Sequence, residues 1–237
     1  MTPSDDAVAR HPHLAEPLRD GWVRVDMHSH TMWSGDCTTT PDELLEAVVA
    51  SGIDVLCITD HNATAGAEKL ADQLPCRVIV GEELRVGSGE IIGLFLAERI
   101  PGGTGLVAAA QMIRDQGGLV YVPHPFDPLR NCLSPEAIDT LVDAGLIDAF
   151  EVRNAKTSLE SLNAKAADFA AAHDLAAGAG SDAHVPGAFG AAYVEMPDFD
   201  DPSSFLASLR RGRVVGHHYD KARPWTSRIV PSVPEAD

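Results

Sequence analysis

The sequence predicts an α/β fold, a closed barrel of parallel strands wrapped by helices. From Trp22 onward, short apolar runs alternate with amphipathic ones, and repetition of this kind specifies a parallel sheet with covering helices. In addition, His28, His30, His61, Glu83, His124 and Asp182 all fall at or just past the C-terminal end of a predicted strand. A closed parallel barrel gathers those ends on one rim. An open doubly wound sheet would gather them at one crevice, and no GxGxxG turn marks one here. The barrel is favoured.

The elements follow in order. "WVRVDMH" reads as a strand. "TPDELLEAVVASG" is a helix with Thr40 as N-cap, Pro41 at its first position, Glu43 completing a capping box and Gly52 as stop. "DVLCITDHN" is a buried strand, "ATAGAEKLADQL" a helix, and "RVIVGEELRV" and "GEIIGLFL" are strands. "TGLVAAAQMIRDQGG" is a helix ended by two glycines, "LVYVPHPF" a strand, "SPEAIDTLVDAG" a helix opened by Ser-Pro, and "IDAFEVRN" a strand. "SLESLNAKAADFAAAHDL" is the longest helix, "AAGAGSDAH" a short strand of small residues, and "DPSSFLASLRRG" the last helix. Without an internal repeat or a linker, residues 21–237 read as one domain. Residues 1–20 and "VPSVPEAD" read as a loose leader and a short tail.

Composition narrows the function. The 237 residues are 45% hydrophobic, enough for a sizeable core. No run approaches the roughly 18 apolar residues of a membrane span, and the acid- and proline-bearing N-terminus lacks a signal-peptide apolar core. A cytoplasmic address without membrane partners is expected. The four cysteines form no CxxC pair, which argues against zinc-ribbon and redox-motif roles. Lys+Arg of 18 against Asp+Glu of 35 gives a net charge of −17, adverse to binding long nucleic acid through its phosphates. A small phosphorylated ligand is compatible, because divalent cations reverse the field locally. Nothing in the sequence marks an oligomeric state.

The chemistry-bearing residues are histidines and carboxylates. His28 and His30 stand two apart on a strand, so both point to one side and can share an ion. "ITDHN" adds His61 with Asp60 beside it, "VPHPFD" adds His124 between prolines, and "GAGSDAH" adds Asp182 and His184 at the spacing of the first pair. Borderline divalent metals take imidazole and carboxylate together.

In sequence and order, "DMHSHTMWSGD", "ITDHN", "GEELRVGSGEIIGLF", "VPHPFD" and "AGSDAH" resemble the motifs of the PHP family, the polymerase and histidinol phosphatase superfamily. The likeness runs from about Val25 to Tyr193 and is nearer to the small stand-alone phosphoesterases than to polymerase-attached domains. It implies a distorted (β/α)7 TIM-like barrel, two or three divalent metal ions (Mn, Fe or Zn) and hydrolysis of phosphate esters. Carried over by position, it makes His28, His30, Glu83 and Asp182 ligands of a first metal and Asp36, His61 and His124 ligands of a second. Glu83 would bridge to a third ion held also by His184. Glu82 rivals Glu83, but the family motif reads Gly-x-Glu and Gly81 sets that register. The sequence departs from the family at Glu90, where many members carry a histidine ligand of the third metal. Either Glu90 replaces that histidine, which is the preferred reading, or the third ion enters only with substrate.

The expected nucleophile is a metal-bridging hydroxide, since neighbouring metals lower the pKa of water and clamp phosphate oxygens. No GxSxG elbow or P-loop offers another route. Asp26 and Asp60 flank ligand histidines and read either as acceptors that fix imidazole tautomers or as strand-end turn residues. Arg130 and Lys156 match basic positions in family members and read as phosphate-binding or as solvated loop charges, with Arg153 a weaker candidate. His11 and His13 fall in the leader, and His217 and His218 read as packing of the last strand or as substrate contacts. Trp33 reads as a stacking or a core residue.

The leading reading is a phosphoesterase acting on a small phosphorylated metabolite or nucleotide. A 3′–5′ exonuclease or oligoribonuclease acting on short single strands is the alternative, since these make few phosphate contacts. A non-catalytic metal-binding regulatory domain is suggested only by Glu90. C–N hydrolysis on a related barrel lacks a bridging lysine at a strand end.

Overall fold

A computed structural model describes residues 1–157 and 159–219. Among these residues nine strands form one sheet: β1 (Trp22–Ser29), β2 (Val55–Ile58), β3 (Arg77–Arg85), β4 (Glu90–Leu94), β5 (Leu119–Val122), β6 (Ala149–Asn154), β7 (Ala176–Gly180), β8 (Ala192–Pro197) and β9 (Arg213–Gly216). Their order is β7-β6-β5-β4-β3-β2-β1-β8-β9. The seven strands β1 to β7 curl into a nearly closed barrel. At its C-terminal rim, Ser29 bridges Ala183, the Asp182 N–H donates to the His28 carbonyl (2.8 Å), and the His30 N–H donates to the Ala183 carbonyl (3.1 Å). β8 pairs antiparallel with the opening half of β1, Trp22 to Val25, and distorts closure at the other end.

The alternation of strands and α-helices fails between β3 and β4 and between β7 and β8, where only the 3-10 turn Pro186–Ala188 intervenes. β4 runs antiparallel to both β3 and β5. Only residues 86–89 join β3 to β4, too few for the crossover helix that a parallel pair needs. β8, which the sequence pattern does not mark, is a further strand.

Among the described residues seven α-helices complete the fold: α1 (Asp5–Arg10), α2 (Pro41–Ser51), α3 (Ala65–Leu70), α4 (Leu106–Asp115), α5 (Pro135–Asp143), α6 (Glu160–Ala172) and α7 (Pro202–Leu209). The expected capping box opens α2: the Glu43 N–H donates to Thr40 Oγ1, and Glu43 Oε2 accepts from the Thr40 N–H at 2.9 Å. Ser134 caps α5 in the same sense, accepting from the Ala137 N–H. Among the described residues no helix is long and apolar enough to cross a membrane.

Two apolar layers position the rim. Inside the barrel, Met27, Cys57, Ile79, Ile92, Tyr121, Ala149 and Ala179 come one from each of the seven strands into a single buried cluster. Outside, Ile113, Ile138, Leu141 and Ala166 of α4, α5 and α6 pack on Val120, Val122 and Phe150. Each fully buried aliphatic side chain contributes about 1.5–3 kcal/mol.

The segment expected as a loose leader is instead built into the fold. Ala7 of α1 and Leu14 in the 3-10 turn Pro12–Ala15 are buried with Ile53 and Tyr193. His11 Nε2–H donates to the Gly187 carbonyl and His13 Nε2–H to the Gly190 carbonyl, each at 3.0 Å. His217, just past β9, lies 3.2 Å from His11 and 3.3 Å from His13, ring nitrogen to ring nitrogen, so it ties β9 to the N-terminal segment. The tail expected at residues 230–237 lies outside the described residues.

Candidate metal centre

The rim converges on Glu83. β1 carries His28 and His30 on one side, and their Nε2 atoms lie 3.1 Å apart. A single parallel bridge sets His61 beside Glu83, and β3 turns Glu83 into the barrel. Glu82, the residue before it, faces the other way: its Oε2 accepts from the Ile100 N–H at 2.8 Å. Strand alternation thus decides between the two glutamates.

Glu83 Oε2 lies 3.5 Å from His28 Nε2, 3.3 Å from His30 Nε2 and 3.1 Å from His61 Nδ1, while Oε1 lies 3.0 Å from His124 Nε2. Asp182 Oδ1 lies 3.8 Å and 3.5 Å from the same two Nε2 atoms. Both Glu83 Oε2 and Asp182 Oδ1 are buried without a hydrogen-bond partner. Donors about 2.0–2.2 Å from a shared ion stand about 2.8–3.6 Å apart at right or tetrahedral angles. His28, His30 and Asp182 lie close enough together to hold one divalent ion, with Glu83 Oε2 beside both imidazoles.

The other ligand candidates divide differently from the sequence expectation. His61 Nε2 and His184 Nε2 lie 3.3 Å and 3.4 Å from Asp36 Oδ2, forming an outer group with His30 nearby. His124 Nε2 faces Glu83 and, at 3.7 Å, Glu90 Oε2, not Asp36. His184 therefore moves from the Glu83–Glu90 set to the Asp36 set, and His124 moves the other way. The strand ends explain it: His184 follows β7, whose end meets β1, whereas His124 follows β5 next to β4. Glu90 Oε1 lies 3.7 Å from His61 Nδ1 and accepts from Arg85 Nε at 3.2 Å.

The electrostatics suit cations. Burial would raise the Glu83 carboxyl, yet the His28 charge, the His124 hydrogen bond and the adjacent His28 and His30 rings hold it well below the carboxylate range. Burial opposes ionisation of Asp182 too, but Lys156, Arg130 and His28 keep it low. Burial would lower His28, but Asp182, Glu83 and Glu151 lift it well above its ordinary value. His30, buried and beside His184, is pushed down to about 4. A ring of ionised carboxylates around lone-pair nitrogens is a donor set for borderline divalent metals.

Asp26 and Asp60 do not touch an imidazole. Asp26 Oδ1 accepts from the backbone N–H of His28 (3.3 Å) and of Ser181 (2.9 Å), tying β1 to the end of β7. Asp60 accepts from the Thr31 N–H (2.7 Å) and hydroxyl (2.6 Å). Burial raises the first to about 7 and the second to about 6. The imidazoles are bonded instead by residues the sequence reading missed. Ser34 Oγ lies 2.8 Å from His30 Nδ1, and Glu151 Oε1 lies 3.3 Å from His28 Nδ1. A lone acid in the apolar run "AFEVRN" was the available signal.

Of the basic candidates, Arg130 Nη2 donates to Asp182 Oδ2, and Lys156 Nζ lies 3.2 Å from His184 Nδ1 and 3.7 Å from Asp182 Oδ1. Arg153 points away and makes two bonds to Glu160. Trp33 packs, partly buried, on the cluster that holds Leu44, Ile58 and Leu70.

A distorted barrel whose strand ends gather histidines and carboxylates defines a class of metal-site protein. The PHP domain profile matches residues 26–121, and the PHP-associated profile matches residues 160–214. An uncharacterised protein of Methanocaldococcus jannaschii is 35% identical over 197 residues, 79% of each chain. The chain belongs to the PHP family. It also matches a 5′-3′ exoribonuclease of Haemophilus influenzae, 31% identical over 100 residues, 39% of this chain and 36% of that one. In fold, it is similar to a two-domain protein from Bacteroides vulgatus containing a predicted PHP-like metal-dependent phosphoesterase. That match has a TM-score of 0.65 at 18% identity and covers 85% of this chain and 67% of that one.

Proposed function

We propose that the protein is a metal-dependent phosphoesterase acting on a small phosphorylated metabolite or nucleotide. The observation that carries this reading is the juxtaposition of the orphaned Glu83 and Asp182 oxygens with two cationic side chains, Arg130 and Lys156, on the open side of the same cluster. His28, His30, Glu83 and Asp182 would hold one ion and Asp36, His61 and His184 another. Glu83, Glu90 and His124 would hold a third. Bound there, divalent ions would neutralise phosphate oxygens and acidify water for attack on phosphorus.

The chain's own groups would do the rest. Arg130 and Lys156 are each about one-fifth exposed, at 20% and 18%, so an entering phosphate can reach them. Each is now held by Asp182, and a guanidinium shared between carboxylate and phosphate fixes the phosphate's orientation. The metal-ligand carboxylates repel an anion that lacks ions to meet it, so substrate binding should follow metal loading. The −17 charge favours a short or small substrate over a long nucleic acid.

A second reading, an exoribonuclease of short strands, is favoured by the likeness to the Haemophilus influenzae enzyme. The test compares the Mn²⁺-loaded chain on AMP and on a five-nucleotide RNA. Faster phosphate release from AMP supports the metabolite reading, and faster mononucleotide release from the RNA overturns it. Metal-loaded protein inert to both would point to a regulatory domain.

A further inference from the structure

Glu151 is a buried carboxylate that the chemistry above does not use. Its place follows from a bulge in β6: Glu151 pairs with Gly178 and Arg153 with Ala179, leaving Val152 extra. Simple alternation would put Glu151 and Arg153 on one face. The bulge re-aims the strand, so Glu151 and Asn154 meet inside the barrel while Arg153 turns out to Glu160. β7 makes the room. A Cβ on Gly180 would overlap the Cβ of His28 and stand 2.9 Å from Glu151 Oε1, and a Cβ on Gly178 would overlap Tyr121.

Four donors converge on this one carboxylate. Oε1 faces His28 Nδ1 at 3.3 Å and accepts from the Tyr121 hydroxyl at 3.1 Å. Oε2 accepts from the His124 N–H and, at 3.0 Å, from Asn154 Nδ2. The same amide nitrogen of Asn154 donates to Asp182 Oδ2 at 3.1 Å. Three ligand candidates from three strand ends are thus tied to one side chain. Two of them, His124 and Asp182, have left-handed backbones, with φ of +28° and +49°. Such backbones are strained and persist only where neighbours hold them.

We propose that Glu151 is the positioning residue of the metal centre: it takes the Nδ1–H of His28, turns Nε2 to the ion, and clamps the backbone at His124. This rests on the metal-centre reading given above. An ionised carboxylate accepts on both oxygens, so all four donors are satisfied at once. A glutamine cannot do this, because its amide nitrogen would face two donors. On the Oε1 side, His28 can respond by moving its proton to Nε2 and accepting at Nδ1, and it then has no lone pair for an ion. Partners one bond removed from a metal typically change affinity by about 10–100-fold.

The test uses the full chain, with Zn²⁺ affinity measured by chelator competition and nitrogen-15 NMR of the histidine side chains in the Zn²⁺-loaded protein. The expected result is a His28 proton on Nδ1 in the wild type and a loss of affinity of about 10–100-fold in Glu151→Gln, with far-UV circular dichroism unchanged. A folded Glu151→Gln that binds Zn²⁺ within about twofold of wild type overturns the proposal and leaves the metal centre standing. Should that variant not fold, the wild-type spectrum decides: a His28 proton on Nε2 overturns the proposal by itself. A wild type that takes up no Zn²⁺ overturns the metal-centre reading, and the role of Glu151 with it.

Discussion

Lowering the pH by one unit should weaken the inner ion by about tenfold, because one proton must leave for each ion that enters. The count comes from the four ligands. Glu83 and Asp182 are held ionised despite burial, the first by His28 and the His124 hydrogen bond, the second by Lys156 and Arg130, so neither carries a proton at neutral pH. His30 is already neutral, since burial and His184 push it down to about 4. Only His28 keeps a proton, because Asp182, Glu83 and Glu151 outweigh its burial and lift it well above 6.5. The sign is fixed by linkage. A raised histidine stabilises the metal-free fold below its unfolded value, and that contribution disappears as pH rises through the folded value. Ion binding must displace that proton throughout the window below the raised value. The assay is isothermal titration of Mn²⁺ into Asp36→Ala protein, which silences the outer group, in two buffers of different ionisation enthalpy. Release of about one proton per ion is expected. Release of none, or of about three, would refute the assignment of charge among these four residues.

Asp36 is about half exposed, with 47% of its side chain accessible, so Asp36→Ala should remove one ion from the stoichiometry without altering the circular dichroism spectrum. Glu83→Gln should cost more than about a hundredfold in ion affinity, above the range for groups one bond removed from the ion, whereas Glu82→Gln should match wild type. Equal effects of the two would contradict the strand register. Leu14→Ala, at a residue 2% exposed, should destabilise by about 2–4 kcal/mol and lower Tm by several degrees. An unchanged Tm would mean that the N-terminal segment does not share the fold's cooperative core.

The barrel and its rim were legible because hydrophobic period and ligand type both recur at strand ends: His28, His61, His124 and Asp182 each close an apolar run. The capping residues Thr40 and Ser134 were legible for the same local reason. What the sequence hid depends on contacts between distant segments. The N-terminal segment is polar, and its docking rests on Ala7, Leu14 and two imidazole bonds to the carbonyls of Gly187 and Gly190. The division of ligands hinged on which strand ends adjoin, which placed His184 with Asp36 and His124 with Glu90. Glu151 was concealed by the bulge in β6, where the period of two fails and the residue that bonds His28 looks like any strand acid.

The central claim is that the rim binds divalent ions as a cluster, and equilibrium binding of Mn²⁺ to the full chain tests it most directly. Two or three ions per chain are expected, with the inner ion lost in His28→Ala and the outer group still loading. Fewer than one ion per chain in the wild type, or unchanged stoichiometry in His28→Ala, would contradict it.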